Sequence, residues 1–294
     1  MTTGKLRAWA SAKVNLFLHV GPVQPNGRHP LDSLVVFAGP EAADMLEVVP
    51  ADALSLALSG PGAAGLDAGA DNLVIRAAEA LRAAAGIRSG AAISLDKHLP
   101  VAGGIGGGSA DAATALRLLT ELWKLDPSHA VSVAPSLGGD VPVALHGHPA
   151  LMQGEGERVL PVSVLPVLPA LLVNPGIACP TGPVFRAYDA AGGGAAFQVH
   201  QGVPEFADAD GLVRWLEDQR NDLEAPAVGL VPEIQGVLDE LRRLEGARLV
   251  RMSGSGATCF VLFESGNAAK AAEAEVHRRH PGWWARATRL GSGE

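Results

Sequence analysis

A glycine-rich stretch between Leu99 and Trp123 holds the residues best suited to binding an anion. It reads LPVAGGIGGGSADAATALRLLTELW. Glycine lets backbone N–H groups approach a ligand closely, because it has no Cβ and reaches positive φ freely. The helix predicted to follow would point its positive end at the same place. Loop amides and a helix N-terminus together favour a phosphate site. The residues concerned are Gly103, Gly104, Gly106, Gly107, Gly108 and Ser109.

Two well-known nucleotide motifs do not match this stretch. A Walker A loop, G-x-x-x-x-G-K-[ST], aligned from Gly103 to Gly108 would put Ser109 and Ala110 where lysine and Ser/Thr belong. A dinucleotide fingerprint begun at Gly104 ends on Ser109 and comes too late in the chain for an opening βαβ unit. A plain glycine hinge stays open as an alternative, although so many glycines cost more backbone entropy than a simple turn requires.

Polar side chains also stand in apolar or turn-forming surroundings elsewhere. Lys13 and Asn15 lie two residues apart in RAWASAKVNLFLHV, so a strand would place both on one face. A half-solvated strand face is the alternative interpretation of this pair. Asp140 follows two glycines and comes shortly before Pro142, which disfavours a helical conformation at Val141. A carboxylate between two glycines and a proline is predicted to have a functional role and not only to be a surface charge.

The elements that must position these residues can be predicted from periodicity. An antiparallel sheet is expected before the glycine-rich stretch, preceded by a turn-rich loop with Arg28 and His29 at its tip. Asp71 is predicted to cap a helix that ends at Gly86. The segments typical of strands are 33–37, 45–49, 54–58 and 91–95.

The second helix is predicted directly after the glycines. Ser109 and Asp111 at its polar start are expected to face a ligand. Its apolar face consists of Ala112, Leu116, Leu119 and Trp123. In the second half of the chain, strands are predicted at 170–174 and 249–252, helices at 211–219 and 233–244, and a last helix that Asn267 caps.

A change of composition between Gly154 and Pro169 marks a domain boundary, which we set between residues 157 and 158. The expected domains are therefore 1–157 and 158–294. Strands and helices alternate along the chain without a parallel βαβ rhythm, and this indicates an α+β fold. A length of 294 residues is enough for two domains with separate cores.

Composition excludes several classes of protein. The chain has no uncharged apolar run of the ~18 residues that cross a bilayer, and its start lacks a signal-peptide pattern, so a soluble, cytoplasmic protein is expected. A net charge of −8 and only 4% aromatic residues argue against a nucleic-acid partner. Cys179 and Cys259 form no CxxC motif and are expected to be buried structural thiols.

The glycine-rich stretch and several shorter motifs resemble the GHMP kinases. The family's Pro-x-x-x-Gly-Leu-Gly-Ser-Ser-Ala-like loop appears here as PVAGGIGGGSA, and ASAKVNLFLHV, LGGDVPV, RNDLE and SGSGATCF occur in the family's order. The resemblance covers nearly the whole chain. It implies a two-domain α+β fold, with a ribosomal-protein-S5-like N-terminal domain, a ferredoxin-like C-terminal domain and an active site in the cleft between them.

ATP-dependent phosphorylation of an alcohol is the activity that this resemblance implies, with Mg²⁺ accompanying ATP. Lys13 and Asp140 match the family's catalytic lysine and aspartate beside the acceptor hydroxyl. The aspartate would accept or polarise the hydroxyl proton, and the ammonium would offset charge on the transferred group. The implied ATP-binding residues are Pro100, Val101, Ala102, Gly103, Gly104, Ile105, Gly106, Gly107, Gly108, Ser109 and Ala110, with Asn72 and Leu73 near adenine and Lys97 close to the nucleotide.

The GGxGGGS form of the loop is similar to that of family members whose small-molecule substrate carries a cytidine diphosphate. The implied substrate-binding residues are Asn15, Arg28, His29, Thr181 and Phe185. Arg28 replaces the family's tyrosine, and its guanidinium can also lie flat on a base. The turn at 254–256 is expected to pack near the phosphate loop.

Other functions stay open from the sequence. They are a kinase of the same family that acts on homoserine or a mevalonate-type alcohol, a decarboxylase of the same fold, and a nucleotide-binding module without catalysis. The chain is compatible with a monomer or a homodimer.

Overall fold

The computed structural model describes residues 4–193 and 197–291. Helices pack on two β-sheets in this part of the chain. The strands are β1 (Leu6–Ser11), β2 (Lys13–Asn15), β3 (His19–Val20), β4 (Leu31–Ala38), β5 (Ala43–Ala51), β6 (Leu54–Ser59), β7 (Gly90–Asp96), β8 (Ala150–Gly154), β9 (Arg158–Pro161), β10 (Leu168–Asn174), β11 (Leu249–Met252), β12 (Cys259–Leu262) and β13 (Trp284–Gly291). The helices are α1 (Leu73–Ala85), α2 (Gly107–Leu122), α3 (Ser128–Leu137), α4 (Val141–His146), α5 (Thr181–Ala190), α6 (Ala209–Glu217), α7 (Glu224–Leu230), α8 (Glu233–Arg242) and α9 (Gly266–Arg279).

The smaller sheet has the order β1-β5-β7-β6. Its pairs β1–β5 and β5–β7 are antiparallel as predicted, but β6 runs parallel to β7. The expectation of a purely antiparallel sheet is therefore wrong at this edge. The chain crosses over from β6 to β7 through α1, and a crossover of that length lets two successive strands run in the same direction.

The larger sheet has the order β11-β12-β10-β13-β4-β8-β9, with β2 and β3 also paired to β4. Strands from both halves of the chain meet where β13 pairs with β4. The predicted boundary at residue 157 falls in the turn between β8 and β9, which pair with each other as a hairpin. The mixture of helix and sheet confirms the expected α+β class.

The helix after the glycine-rich stretch buries the face that its periodicity predicts. Ala112, Leu116 and Leu119 are fully buried, in a core with α1 and the smaller sheet. Trp123 is half-buried at the C-terminal end of α2. The apolar stripe therefore fixes the orientation of α2 and, with it, the direction in which its N-terminus points. Among the described residues, every helix is too short or too polar to cross a lipid bilayer.

Two predicted helix caps are one or two residues from the true ones. Asn72, not Asp71, caps α1, and its side-chain oxygen accepts a hydrogen bond from the Val74 amide. Ser265, not Asn267, caps α9. Both true caps have an extended backbone that lets the side chain turn back onto the first helical turn. The predicted end of α1 at Gly86, in the left-handed region, is confirmed.

Asp140 lies immediately before a short helix that the sequence did not predict. Val141 begins α4 and Pro142 lies in its first turn. The expectation that Pro142 keeps Val141 out of a helix is wrong, because a proline is tolerated in the first turn, where backbone N–H groups have no helical partner.

A buried arginine ties the C-terminal sheet to the N-terminal segment. Arg251 on β11 is only 7% exposed, and its Nη1 donates to the Leu16 carbonyl at 2.6 Å. Its Nη2 donates to the carbonyls of Leu216 at 2.9 Å and Gln219 at 2.6 Å. Burial lowers the pKa of Arg251, and the nearby Glu224 carboxylate opposes that shift. The guanidinium thus binds three backbone carbonyls, one just after β2 and two in or just after α6.

Replacing Arg251 by methionine should lower the free energy of unfolding by about 3 kcal/mol, because three backbone carbonyls each lose a hydrogen bond from a charged donor. Urea denaturation followed by circular dichroism measures this change. Arg243→Met is the control, since that side chain is 69% exposed and its Nη1 lies 3.9 Å from Glu240. Equal losses in the two variants would refute a structural role for the Arg251 hydrogen bonds.

Candidate active site

A cleft of about 680 Å³ opens where the glycine-rich stretch, β2 and the start of α5 meet. It brings together residues that lie far apart in the sequence. The predicted site residues that line it are Lys13, Asn15, Asn72, Leu73, Lys97, Pro100, Val101, Ala102, Gly103, Gly104, Gly106, Gly107, Gly108, Ser109, Asp140, Thr181 and Phe185. Four predicted site residues are absent from the lining that the described residues form: Ile105, Ala110, Arg28 and His29.

The glycine-rich stretch turns tightly before it enters α2. Gly104 and Gly106 have φ of 74° and 63°, in the left-handed region that favours glycine. A Cβ on Gly104 would lie 2.5 Å from the Gly256 carbonyl oxygen and 2.6 Å from that of Ser253. The Thr258 amide donates to the Gly103 carbonyl at 3.0 Å. The turn at 254–256 therefore packs directly on the loop, as the sequence predicts.

Ile105 and Ala110 anchor the loop to the protein interior. Ile105 is fully buried, and its carbonyl accepts a hydrogen bond from the Lys13 amide at 2.9 Å. Ala110 is 4% exposed on the core side of α2. Both were predicted to bind ATP, but their side chains face the core. Apolar contacts there hold the flanking glycines at the cleft.

Lys13 and Asp140 meet in the cleft although they are 127 residues apart in sequence. Nζ of Lys13 lies 3.0 Å from Oδ1 of Asp140. The lysine side chain is 5% exposed and the aspartate side chain 34% exposed, so the ammonium is enclosed while the carboxylate faces the open cleft. A Cβ on Gly106 would lie 3.4 Å from Cε of Lys13, so glycine lets the loop backbone approach the pair.

Lys97 lies beneath the loop in a buried ionic cluster. Its Nζ contacts Oδ2 of Asp44 and lies 2.9 Å from Oδ2 of Asp111. A Cβ on Gly107 would be 3.1 Å from the same Nζ. Burial works to lower the pKa of Lys97, but the charges of Asp111 and Asp44 outweigh it, and the net shift is upward. The lysine is therefore a buried cation next to the first turn of α2.

Asp111, which was predicted to face a ligand, lines the cleft although it is only 3% exposed, and its Oδ2 pairs with Lys97 in this cluster. Burial raises its pKa to about 7 against the opposing charge of Lys97. Its Oδ1 is buried without a hydrogen-bond partner in the described part of the chain.

Asp44 is a residue of the site region that the sequence reasoning missed. Its Oδ1 accepts hydrogen bonds from the backbone amides of His98 and Leu99. The hydrogen bond from Leu99 is 2.8 Å long. It therefore holds the turn from β7 into the glycine-rich stretch and pairs with Lys97. The available signal was an acid within the apolar strand segment ADMLEVV, a position where a buried carboxylate needs partners.

Asn15 is held in the cleft wall by two serines. Its Nδ2 donates to Oγ of Ser33 at 2.7 Å, and its amide donates to Oγ of Ser253 at 3.1 Å. The Ser253 hydroxyl donates in turn to the Gly104 carbonyl, so Ser253 joins the loop to β2. Sequence reasoning missed Ser253, although it begins the SGSG motif. Oδ1 of Asn15 is buried and has no hydrogen-bond partner among residues 4–193 and 197–291, which leaves it for a ligand.

Phe185 and His29 form a stacked pair at the opposite end of the cleft. Their ring centroids are 5.2 Å apart and the planes differ by 29°. Nδ1 of His29 donates to the Gly21 carbonyl at 2.9 Å, and Nε2 lies 3.3 Å from Oδ1 of Asp189. His29 is buried behind Phe185, whereas Phe185 lines the cleft itself.

Arg28 pairs with a residue of the cleft wall but does not line the cleft itself. Its Nη1 lies 3.1 Å from Oε2 of Glu155, and the side chain is 69% exposed. Its carboxylate partner, Glu155, does line the cleft. The prediction that Arg28 binds substrate therefore lacks support from its position.

The start of α5 closes the remaining side. Oγ1 of Thr181 and Oγ of Ser255 share a hydrogen bond of 2.9 Å. Sγ of Cys179 donates to the Ser255 carbonyl at 3.2 Å, and burial raises the pKa of this thiol. Cys179 and Cys259 are both buried free thiols, as the sequence predicts.

Comparison with known proteins places the chain in a family. A model described as the GHMP kinases N terminal domain matches residues 72–148, and one described as the GHMP kinases C terminal matches residues 205–282. The 4-diphosphocytidyl-2-C-methyl-D-erythritol kinase of Hyphomonas neptunium is 60% identical, with 98% of this chain and 97% of that protein aligned. The enzyme of the same name from Cereibacter sphaeroides is 47% identical, with 96% and 98% aligned.

Solved structures agree with this placement. A crystal structure of 4-(cytidine 5'-diphospho)-2C-methyl-D-erythritol kinase superposes with a TM-score of 0.77 at 35% identity, over 98% of this chain and 100% of that one. Homoserine kinase from Cytophaga hutchinsonii superposes with a TM-score of 0.67 at 16% identity, over 100% and 97%, which shows a shared fold alone. On this evidence the chain belongs to the GHMP kinases, and within them to the family of 4-diphosphocytidyl-2-C-methyl-D-erythritol kinases.

Proposed function

We propose that this protein transfers the γ-phosphate of ATP to the 2-hydroxyl of 4-diphosphocytidyl-2-C-methyl-D-erythritol, a step in non-mevalonate isoprenoid precursor biosynthesis. The observation that carries the proposal is the Lys13–Asp140 pair, 3.0 Å apart beside Gly106, in one cleft with Phe185. The two ends of the cleft differ in chemistry. Backbone amides and a helix N-terminus suit a triphosphate, and an aromatic face suits a base.

Asp140 acts on the acceptor hydroxyl in this proposal. Its exposed carboxylate accepts the proton as the oxygen attacks phosphorus, and the Lys13 ammonium offsets charge on the phosphoryl group in transfer. The enclosed position of Lys13 strengthens that electrostatic effect, because fewer water molecules screen it. Most of the remaining rate acceleration in phosphoryl transfer comes from the positioning of the two substrates.

The glycine-rich stretch holds ATP through its amides, with the N-terminus of α2 behind the phosphates. Lys97 adds positive charge directly beneath Gly107. Asn72 and Leu73, at the start of α1, border the adenine side.

Mg²⁺ fits the oxygen donors beside the loop. Oδ1 of Asp111 is buried without a hydrogen-bond partner in the described residues, and Ser109, two residues before it in α2, also lines the cleft. A hard cation prefers oxygen ligands, completed by phosphate oxygens and water. These two residues would hold the ion, which supplies neutralising charge to the β- and γ-phosphates.

The acceptor occupies the end of the cleft between Asn15 and Phe185. Oδ1 of Asn15 offers a free acceptor to the hydroxyls of the methylerythritol part, and Phe185 stacks on cytosine with His29 behind it. Thr181 contributes a hydroxyl at the same wall. We propose further that the protein acts in the cytoplasm as a monomer or homodimer without nucleic-acid partners, with two domains divided near residue 157. The net charge of −8 supports the absence of nucleic acid.

An ADP-release assay with a panel of alcohols tests the proposed function. The panel contains the cytidine-linked substrate, mevalonate, homoserine and a hexose. Turnover is expected with the cytidine-linked alcohol. Turnover confined to another alcohol would overturn the substrate assignment, and ATP binding without any turnover would point to a nucleotide-binding module.

Phe185→Leu should raise KM for the cytidine-linked substrate roughly tenfold, since base stacking on an aromatic ring contributes about 1–3 kcal/mol. Leucine keeps apolar bulk but removes the ring. Steady-state kinetics should show kcat and the KM for ATP within about twofold of wild type. Phe206→Leu is the matched control, because that ring packs 5.8 Å from Trp215 outside the cleft. An unchanged KM in Phe185→Leu would place the base elsewhere.

A further inference from the structure

Two histidines and an aspartate form a buried cluster that the proposed reaction does not use. His19 lies on β3, Asp32 on β4, and His200 in the segment before α6. One ligand atom from each lies within 4.8 Å of the other two. His19 is 6% exposed and Asp32 fully buried. None of the three belongs to the cleft lining that the described residues form.

Strand register brings this cluster together. His19 pairs with Asp32 across β3 and β4, and Asp32 pairs with Gln153 across β4 and β8. Directly paired residues point to the same face of a sheet, so the three side chains form a row. His200 covers that row from the C-terminal half of the chain. The arrangement is therefore built by long-range pairing and not by chance proximity of mobile side chains.

The carboxylate of Asp32 is held in one orientation. Nε2 of Gln153 donates to its Oδ1 at 2.8 Å and also to the His200 carbonyl at 2.7 Å. The His200 amide donates to Oδ2 at 3.0 Å, and Nδ1 of His200 lies 2.5 Å from the same oxygen. Such outer partners orient ligands at metal sites and are a regular part of them.

The hydrogen bond between His200 and Asp32 does not account for the third member of the cluster, His19. Its Nε2 is buried and has no hydrogen-bond partner within the residues described. An imidazole nitrogen without a hydrogen-bond partner has a lone pair or proton site left for a ligand, and imidazole is a common metal ligand. Aromatic rings enclose His19, with the Phe17 centroid 4.8 Å away.

We propose that His19, Asp32 and His200 form a binding site for a divalent transition metal, of which Zn²⁺ fits best. Two imidazoles and one carboxylate are a common set of protein ligands for zinc, with a fourth position left to water. Zinc bonds of about 2.0–2.1 Å put tetrahedral donors about 3.4 Å apart. Because all the ligand atoms lie within 4.8 Å of one another, no pair has to close by more than about 1.4 Å. The ion replaces the hydrogen bond between His200 and Asp32.

The site has a structural role in this proposal. It fastens the segment from residue 197 to α6 onto β3 and β4, the two strands whose connection carries His29. The metal site does not depend on the proposed kinase reaction, because none of its ligands touches the reacting groups.

The test uses full-length protein without a histidine tag, freed of metal by dipicolinate. Zinc is then titrated in competition with a chromophoric chelator, and thermal unfolding is followed in parallel. We expect about one zinc per chain with a Kd below roughly 1 µM and a rise in Tm on zinc addition. Co²⁺ in place of zinc should give visible absorption typical of nitrogen and oxygen ligands without a thiolate band.

His200→Gln and His19→Gln should each weaken zinc binding by roughly 100-fold or more, because each removes a direct ligand. Glutamine at residue 200 keeps a donor for Asp32, so this variant should fold even if His19→Gln does not. His98→Gln is the control, since His98 is an exposed histidine whose Nε2 lies 2.9 Å from Asp96, and its zinc binding should equal that of wild type. Absence of stoichiometric zinc in wild type, or undiminished binding in His200→Gln, would overturn the proposal.

Discussion

Replacing Asp140 by asparagine should lower kcat for phosphoryl transfer by about 10³-fold, within the range of 10²–10⁴ that a positioned general base contributes. Asparagine keeps the shape of the side chain but cannot take the proton of the acceptor hydroxyl. It also removes the negative charge that faces Lys13 at 3.0 Å. The buried ammonium is then unpaired, which adds an electrostatic defect to the loss of the base.

Binding of ATP should survive this change, because the proposed phosphate-binding groups are backbone amides of the glycine-rich stretch and not the Asp140 side chain. Calorimetry with a non-hydrolysable ATP analogue and an ADP-release assay separate binding from catalysis. Asp239→Asn is a matched control, because its carboxylate lies 3.0 Å from Nη1 of Arg242 on the exposed face of α8. Turnover of Asp140→Asn within tenfold of wild type would show that Asp140 is not the base.

A single methyl group on Gly104 is expected to damage both folding and nucleotide binding. Alanine there would have φ near 74°, and its Cβ would lie 2.5 Å from the Gly256 carbonyl oxygen and 2.7 Å from the Gly256 amide nitrogen. These are backbone atoms of a packed turn, so no side-chain rotation relieves the contact. The left-handed conformation alone costs about 1 kcal/mol for a residue with a Cβ.

The total loss of stability in Gly104→Ala should therefore be about 3 kcal/mol or more, accompanied by at least a tenfold rise in the Kd for ATP. Urea denaturation and calorimetry measure the two effects. Gly236→Ala is the control, since Gly236 lies on α8 with open space around its Cα and alanine favours a helix. Wild-type stability and ATP affinity in Gly104→Ala would contradict the packing of the loop on the 254–256 turn.

Local patterns predicted much of the fold correctly. The periodicity of Ala112, Leu116 and Leu119 fixed the buried face of α2, because side chains three and four residues apart share one side of a helix. The spacing of Lys13 and Asn15 placed both at one wall of the cleft. Cap positions failed by one or two residues, because Asp71 and Asn72 have similar side chains and only the backbone conformation decides which of them caps α1.

Pairings between distant residues could not be predicted in the same way. Asp44 reaches Lys97 from a neighbouring strand, and Ser253 joins Asn15 to Gly104 across the two halves of the chain. The residues next to Asp44 and Ser253 in the sequence do not indicate these partners. Strand register and packing choose them, and both are set by the whole sheet.

The sequence by itself determined the chemistry available to this protein: a glycine stretch for phosphates, a lysine and an aspartate for transfer, and an aromatic residue for a base. The phosphate site follows from residue type and local spacing, whereas the roles of the lysine, the aspartate and the aromatic residue follow from the resemblance to the GHMP kinases. The resemblance placed Lys13 and Asp140 beside the same hydroxyl, and the tertiary structure brings them into contact across 127 residues. Only the tertiary structure decided pairings such as His200 with Asp32, which are separated by 168 residues. The physical reason is that a contact needs two surfaces brought together by a common core, and core packing is a property of the whole chain.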